Sequence, residues 1–200
     1  YTDFENRHFE AVALELGVVA RSVATPVVAD PDELTRIGVK IATSSNPLVQ
    51  GRIIIDRLFT PVVDQLYEAA MDLCDRCDLL VGHFLLYPLQ TAAAARGRPA
   101  ASVMLAHHLV PSRDSHPDGL PRLGPWGNVL GWKLARVALN RVLLNDVNRF
   151  RRTAGAAPYR DVMNEAWVSR RLNLIAVSPT LCQPRRDWAP WHRVSGFLAL

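Results

Sequence analysis

Between residues 101 and 132 the chain reads ASVMLAHHLVPSRDSHPDGLPRLGPWGNVLGW. The run 102–105 is short and apolar, which predicts a buried strand. It ends in His107-His108 and gives way to a loop of about twenty residues, longer than most connections inside a compact domain. Pro111, Pro117, Pro121 and Pro125 mark that loop, and a long amphipathic helix follows. A loop leaving the carboxyl end of a parallel strand lies where open α/β sheets bind ligands. The segment is therefore the first place to look for a binding site.

The same alternation runs through the rest of the chain. Phe9, Val12, Ala13 and Leu16 predict a helix over residues 4–16, with Asp3 as its cap and Gly17 as its terminator. Residues 18–23 are a short run rich in β-branched valine and read as a strand, and Asp30-Pro31-Asp32-Glu33 can start one helical turn. Asn46-Pro47 opens a long helix with Leu48, Ile55, Leu58, Phe59, Val62, Leu66, Ala69 and Leu73 on its stripe. A strand over 78–83, a helix over 89–96 ending at Gly97, and the strand over 100–106 follow. Trp132, Leu139, Leu143, Val147 and Phe150 place one face of a helix over 128–152, and residues 172–177 and 192–197 read as further strands. Strands alternating with helices predict an α/β fold, a Rossmann-like parallel sheet with helices on both faces. Right-handed crossovers then bring Gly82-His83, Ala106-His107 and Ser178 to one common edge. The expected organisation is a single domain over residues 1–200, cut at both ends, since Tyr1-Thr2 opens abruptly and an apolar run closes the chain.

Composition narrows the function classes. The chain is 49% hydrophobic and 21% charged, ordinary for a globular protein, and its net charge is +4. Uninterrupted apolar runs stay well short of a membrane span, and the first residues lack the basic-then-apolar pattern of a signal peptide. Lys40 and Lys133 are the lysines; the arginines are scattered, with the doublets 151–152, 170–171 and 185–186 interleaved with acids. That distribution argues against a nucleic-acid face. Cys74 and Cys77 have CxxC spacing but no second CxxC or His pair nearby, so they read as reduced cysteines and the compartment as cytoplasmic.

The chemistry-bearing motifs are sparse. GxxxxGK[ST], a GxGxxG after a strand, and GxSxG are all absent. His83, His107 and His108 fall where strands run into loops, as candidates for pocket lining, for packing, or for proton transfer. No carboxylate accompanies them at ligand spacing, so no metal site is expected. His116 and His192 read as surface residues. Asp114, Asp118, Asp161 and Glu165 are the acids available in the second half, and a solvated helix face accounts for the last two. Trp132 fits core packing, and Trp126, in the loop, fits a pocket wall. Lys133, Arg136, Arg141, Arg149, Arg151 and Arg152 give the long helix a basic face, either a surface helix on the sheet or a weak contact with a membrane surface.

In order and spacing, several segments resemble the N-terminal half of the UDP-glycosyltransferase superfamily, enzymes with the GT-B arrangement. They are DFENRHFEAVALELGV, SSNPLVQGRIIIDRLFTPVVDQL, DLLVGHFLLYPLQTAAAARGRPAASV, LVPSRDSHPDGLPRLGPWGNVLGWKL, LNDVNRFRRTAGAAPYRD and LNLIAVSPTLCQPRRDWAPWHRVSGFLAL. The bacterial sterol-glucosyltransferase-like and macrolide-type enzymes are the nearest in pattern. The resemblance implies an acceptor-binding domain that works with a donor-binding C-terminal domain absent from this chain. A hexose would pass from a UDP- or TDP-linked donor, a co-substrate rather than a cofactor, to a hydroxyl of a hydrophobic acceptor such as a sterol or natural product. The reaction implied is inverting and metal-independent, and the isolated chain is expected to be inactive. By the same resemblance the usual base precedes Tyr1, and the position where plant members place an aspartate is Gly82, which leaves His83 as a substitute base. The acceptor-binding residues implied are His83, Phe84, Leu85, His107, His108, Leu109 and Trp126. The alternative reading is a non-catalytic Rossmann-like module that binds a ligand or a partner.

Overall fold

In a computed structural model that describes residues 6–19, 23 and 30–198, the second half of the chain forms one parallel sheet. Strands β1 (Leu80–His83), β2 (Ala100–Met104), β3 (Asn173–Ile175) and β4 (His192–Val194) lie across it in chain order. Every neighbouring pair is parallel, with Leu80 opposite Ala100, Met104 opposite Ile175, and Ile175 opposite Val194. With helices in the β1–β2 and β2–β3 crossovers, though none in the β3–β4 connection, this is the expected α/β, Rossmann-like class. In β2 the consecutive residues Ala101, Ser102, Val103 and Met104 are all buried, so the central strand is covered on both faces.

The chain divides into two compact units, Tyr1–Ala70 and Met71–Leu200. In the first, α1 (Asn6–Glu15) stops at Gly17, whose φ of 68° lets the Val18 N–H reach back to the Ala13 carbonyl at 2.7 Å. Asp3, the expected cap, lies outside the described residues, as does half of the expected strand 18–23; residues 18, 19 and 23 are not in strand. Asp30 caps α2 (Pro31–Thr43) by accepting the Asp32 and Glu33 N–H groups. The single turn expected there is a helix of 13 residues. Leu34, Ile37 and Ile41 supply the inward face that carries it on, at i, i+3 and i+7.

The long helix expected from Asn46 is not regular. Asn46 does cap α3 (Pro47–Ile54) through the Leu48 N–H at 2.9 Å. Pro61, however, has no N–H to donate, and its ring crowds the preceding turn. The course responds with a π-helical turn Ile55–Phe59 and a 3-10 turn Thr60–Val62 before α4 (Val63–Arg76). The Thr60 N–H accordingly reaches back five residues, to the Ile55 carbonyl. Ile55, Val62 and Leu66 of the expected stripe are buried, whereas Leu73 is exposed.

In the second unit, α5 (Tyr87–Ala95) ends ahead of Gly97, at φ 65°, and α6 runs 30 residues, Gly124–Thr153. Helix α6 begins four residues earlier than the periodicity predicts, because Gly124-Pro125 starts it and Pro is tolerated in a first turn. Trp132, Leu143, Val147 and Phe150 face inward as expected, but so does Arg151 from the supposed basic surface. Among the described residues no helix is long and apolar enough to cross a membrane.

Candidate functional site at the carboxyl edge of the sheet

Parallel pairing puts the carboxyl ends of the strands along one edge. The Phe84 N–H donates to Val103, the Ala176 N–H to Met104 and the Ser195 N–H to Ile175, so the chain leaves β1, β2 and β3 side by side. Gly82-His83, Ala106-His107 and Ser178 are therefore collected at one edge, as the topology predicts. A Cβ at Gly82 would stand 3.2 Å and 3.3 Å from the Leu89 methyls. Glycine there lets the Leu89 side chain of α5 pack closely on β1, and any larger residue at this position has to push those methyls aside.

Three of the residues expected to line an acceptor pocket are packed instead of open. Phe84 is 8% exposed and sits edge-to-face on Trp167 at 5.2 Å. Its cluster includes Met104, Val110, Ile175, Val177 and Cys182, with Leu85 and Leu109 packed against it. The histidines at the edge stay at least partly accessible, as does Leu105. His83 is half-buried, its ring 4.4 Å from that of Phe84 and its Nδ1 3.5 Å from the Leu85 N–H. Burial lowers its pKa below the ordinary histidine value of 6.5. His107 and His108 form a 3-10 turn, His107–Leu109, with rings 6.0 Å apart. The His107 pKa is lowered by burial first, and then by His108 and Arg185. His108 points elsewhere, to Asp118 at 3.3 Å. Among the described residues, no group of three or more His, Cys, Asp or Glu side chains converges to hold a metal ion.

His192 is a correction. It is a half-buried residue of β4, not a surface one, and its Nδ1 lies 2.8 Å from the amide nitrogen of the fully buried Asn173. Trp188 and Trp191 flank the ring, and burial lowers the His192 pKa.

The loop after β2 is long but firmly held. The Asp187 carboxylate accepts the Ser112 hydroxyl at 2.8 Å and the Arg113 N–H at 2.6 Å. Asn128 donates to the Arg113 carbonyl at 2.9 Å, and the Trp132 indole N–H to the Ser115 carbonyl at 2.7 Å. Beyond the loop, the first half of α6 shows an apolar stripe to the outside. Trp126 is 87% exposed, Leu130 57% and Leu134 58%, at i, i+4 and i+8, with Leu123 and Val137 extending the row. On the neighbouring face of the same helix, an open cleft of about 280 Å3 is lined by Arg113, Trp132, Lys133, Arg136, Met163 and Asp187 among others. Sequence reasoning passed over Asp187, Met163 and the exposed leucines. A single acid in the 184–191 loop carries no signal, and Leu130 and Leu134 look like core residues by type.

Asp161 and Glu165 have structural employment. Asp161 caps a π-helical turn, Val162–Ala166, through the Met163 and Asn164 N–H groups, and Glu165 accepts the Arg160 N–H at 2.6 Å. Cys74 and Cys77 are free thiols, and burial raises the pKa of Cys74. No protein-family model matches the chain, and no curated protein is significantly similar to it.

Proposed function

We propose that this chain is the acceptor-side domain of a nucleotide-sugar-dependent glycosyltransferase that acts on a hydroxyl of a hydrophobic molecule. The observation that carries the reading is the exposed apolar row Leu123, Trp126, Leu130 and Leu134, on the helix that follows the loop leaving β2. Large apolar side chains left open in a row mark an interaction surface, and a flat aglycone fits such a wall. The helix that carries the row follows the loop leaving the carboxyl end of β2, the end of a parallel sheet at which α/β folds bind ligands. In this reading a second domain, outside the chain, binds the nucleotide sugar.

His83 is the group we assign to proton transfer. Its lowered pKa keeps the ring neutral at pH 7, the form that can accept a proton from an acceptor hydroxyl. The hydroxyl oxygen then attacks the anomeric carbon from the face opposite the departing nucleoside diphosphate. The test is turnover by the full-length protein with UDP- and TDP-linked sugars and a panel of hydrophobic aglycones. We expect product with at least one pair and a loss of about 100-fold in kcat for His83→Ala. Turnover unchanged in His83→Ala removes the histidine from the mechanism, and no transfer with any pair favours the non-catalytic binding module.

A further inference from the structure

The cleft beside the apolar row is not used by the glycosyl-transfer reading. Its wall brings together three cations: Arg113 from the loop, and Lys133 and Arg136 from one face of α6. Asp187 shares the wall, but its oxygens already accept the Ser112 hydroxyl and the Arg113 N–H. Arg136 has an acid partner, Asp161 at 3.5 Å. Neither the Arg113 guanidinium nor the Lys133 ammonium has an ion pair among the described residues.

Asp187 on the wall and Asp161 beside Arg136 thus offset only part of the charge of three exposed cations, and the excess of one positive charge favours an anion, matched most closely by a monoanion. The rest of the wall includes the apolar side chains of Pro111, Val129, Trp132 and Met163, which suit a compact hydrocarbon body. The bonds from Asp187, Asn128 and Trp132 fix the loop backbone before any ligand arrives, so binding has little ordering to do. We propose that this cleft binds a small organic carboxylate, its charged end held by Arg113 and Lys133 and its ring or chain packed against Trp132 and Met163. The site is separate from the acceptor wall and stands or falls independently of glycosyl transfer.

Benzoate titrated into 15N-labelled protein tests this, with the Trp132 indole N–H resonance as the reporter. A saturable shift is expected with benzoate and none with benzamide, its neutral counterpart. Added salt should weaken the response, as it does for any exposed charge pairing. The double variant Arg113→Gln/Lys133→Gln should bind at least about ten-fold more weakly, the loss expected of one or two charge-assisted bonds. Both side chains are exposed, so the variant keeps its fold, which its amide dispersion verifies. Equal responses to benzoate and benzamide, no response at millimolar benzoate, or unaltered affinity in the double variant would each overturn the site. Phenyl phosphate binding ten-fold more tightly than benzoate would overturn the monoanion assignment.

Discussion

Arg151 shows what one side chain can hide in a sequence. It stands in the doublet Arg151-Arg152, yet Arg152 is exposed and Arg151 is 5% exposed. The phase of α6 decides this, since Val147 and Phe150 turn the same side inward. Nothing in composition separates the two arginines. The buried guanidinium donates from Nη1 to the Thr91 hydroxyl at 2.8 Å and from Nε to the Ala157 carbonyl at 2.7 Å, and lies 3.6 Å over the Tyr159 ring. Truncation leaves those partners unmet, so Arg151→Ala should lose about 3 kcal/mol in chemical denaturation. Arg151→Lys should recover less than half, because an ammonium cannot reproduce the planar fork. Exposed Arg152→Ala is the control and should be near neutral. His83 and His192 make the second expectation at this scale. Burial lowers both pKa values below 6.5, so near that pH the unfolded chain binds protons more readily than the folded one. Stability is therefore fully present above pH 6.5 and is lost as pH falls through the lowered folded values. Protonated His192 would also turn a donor toward the Asn173 amide nitrogen. Thermal midpoints recorded from pH 7.5 downward should fall below pH 6.5, and less steeply in His192→Gln.

At the scale of elements, the long loop after β2 behaves as part of the scaffold. Asp187 reaches it from the crossover between β3 and β4, more than seventy residues away in sequence, and meets Ser112, which is buried. Asp187→Ala should cost about 1–3 kcal/mol, the usual penalty for leaving buried donors unpaired. The Arg113 amide should then exchange its hydrogen faster, while the amides of β2 keep their protection; equal acceleration in both would mean global rather than local loosening. Sequence periodicity located this loop, with β2 before it and α6 after it, because a short apolar run and a long helical stripe bounded by turn residues leave few other readings. Its fastenings were not legible, since a hydrogen bond between distant residues leaves no periodic trace. The failures elsewhere have similar causes. Helix α2 was underestimated because its buried face rests on few apolar positions. The course from Pro47 to Arg76 was read as one helix because its stripe continues through Pro61, although the backbone ladder does not.

At the scale of the whole molecule, fold class and binding surface were legible to different degrees. A parallel sheet follows from alternation alone, and the central burial of β2 bears it out. Of the residues expected to line a pocket, Phe84 is buried and Leu85 and Leu109 pack against its cluster, whereas Trp126 is open and heads an apolar row on α6 that the sequence reading did not follow. Hydrophobicity reports that a residue can be buried, not by what. That distinction sets the last experiment. Leu130 and Leu134 are more than half exposed, so Leu130→Gln/Leu134→Gln should change stability by no more than about 0.5 kcal/mol. If the row receives a hydrophobic acceptor, the pair removes apolar contact worth about 1 kcal/mol or more per side chain, and KM for the aglycone should rise about ten-fold or more. KM for the nucleotide sugar should not move, because no donor contact is altered. If the row instead joins copies of the chain, sedimentation will show a lighter species while the aglycone KM stays fixed. The two outcomes separate an acceptor wall from an assembly interface, and only the first sustains glycosyl transfer at this surface.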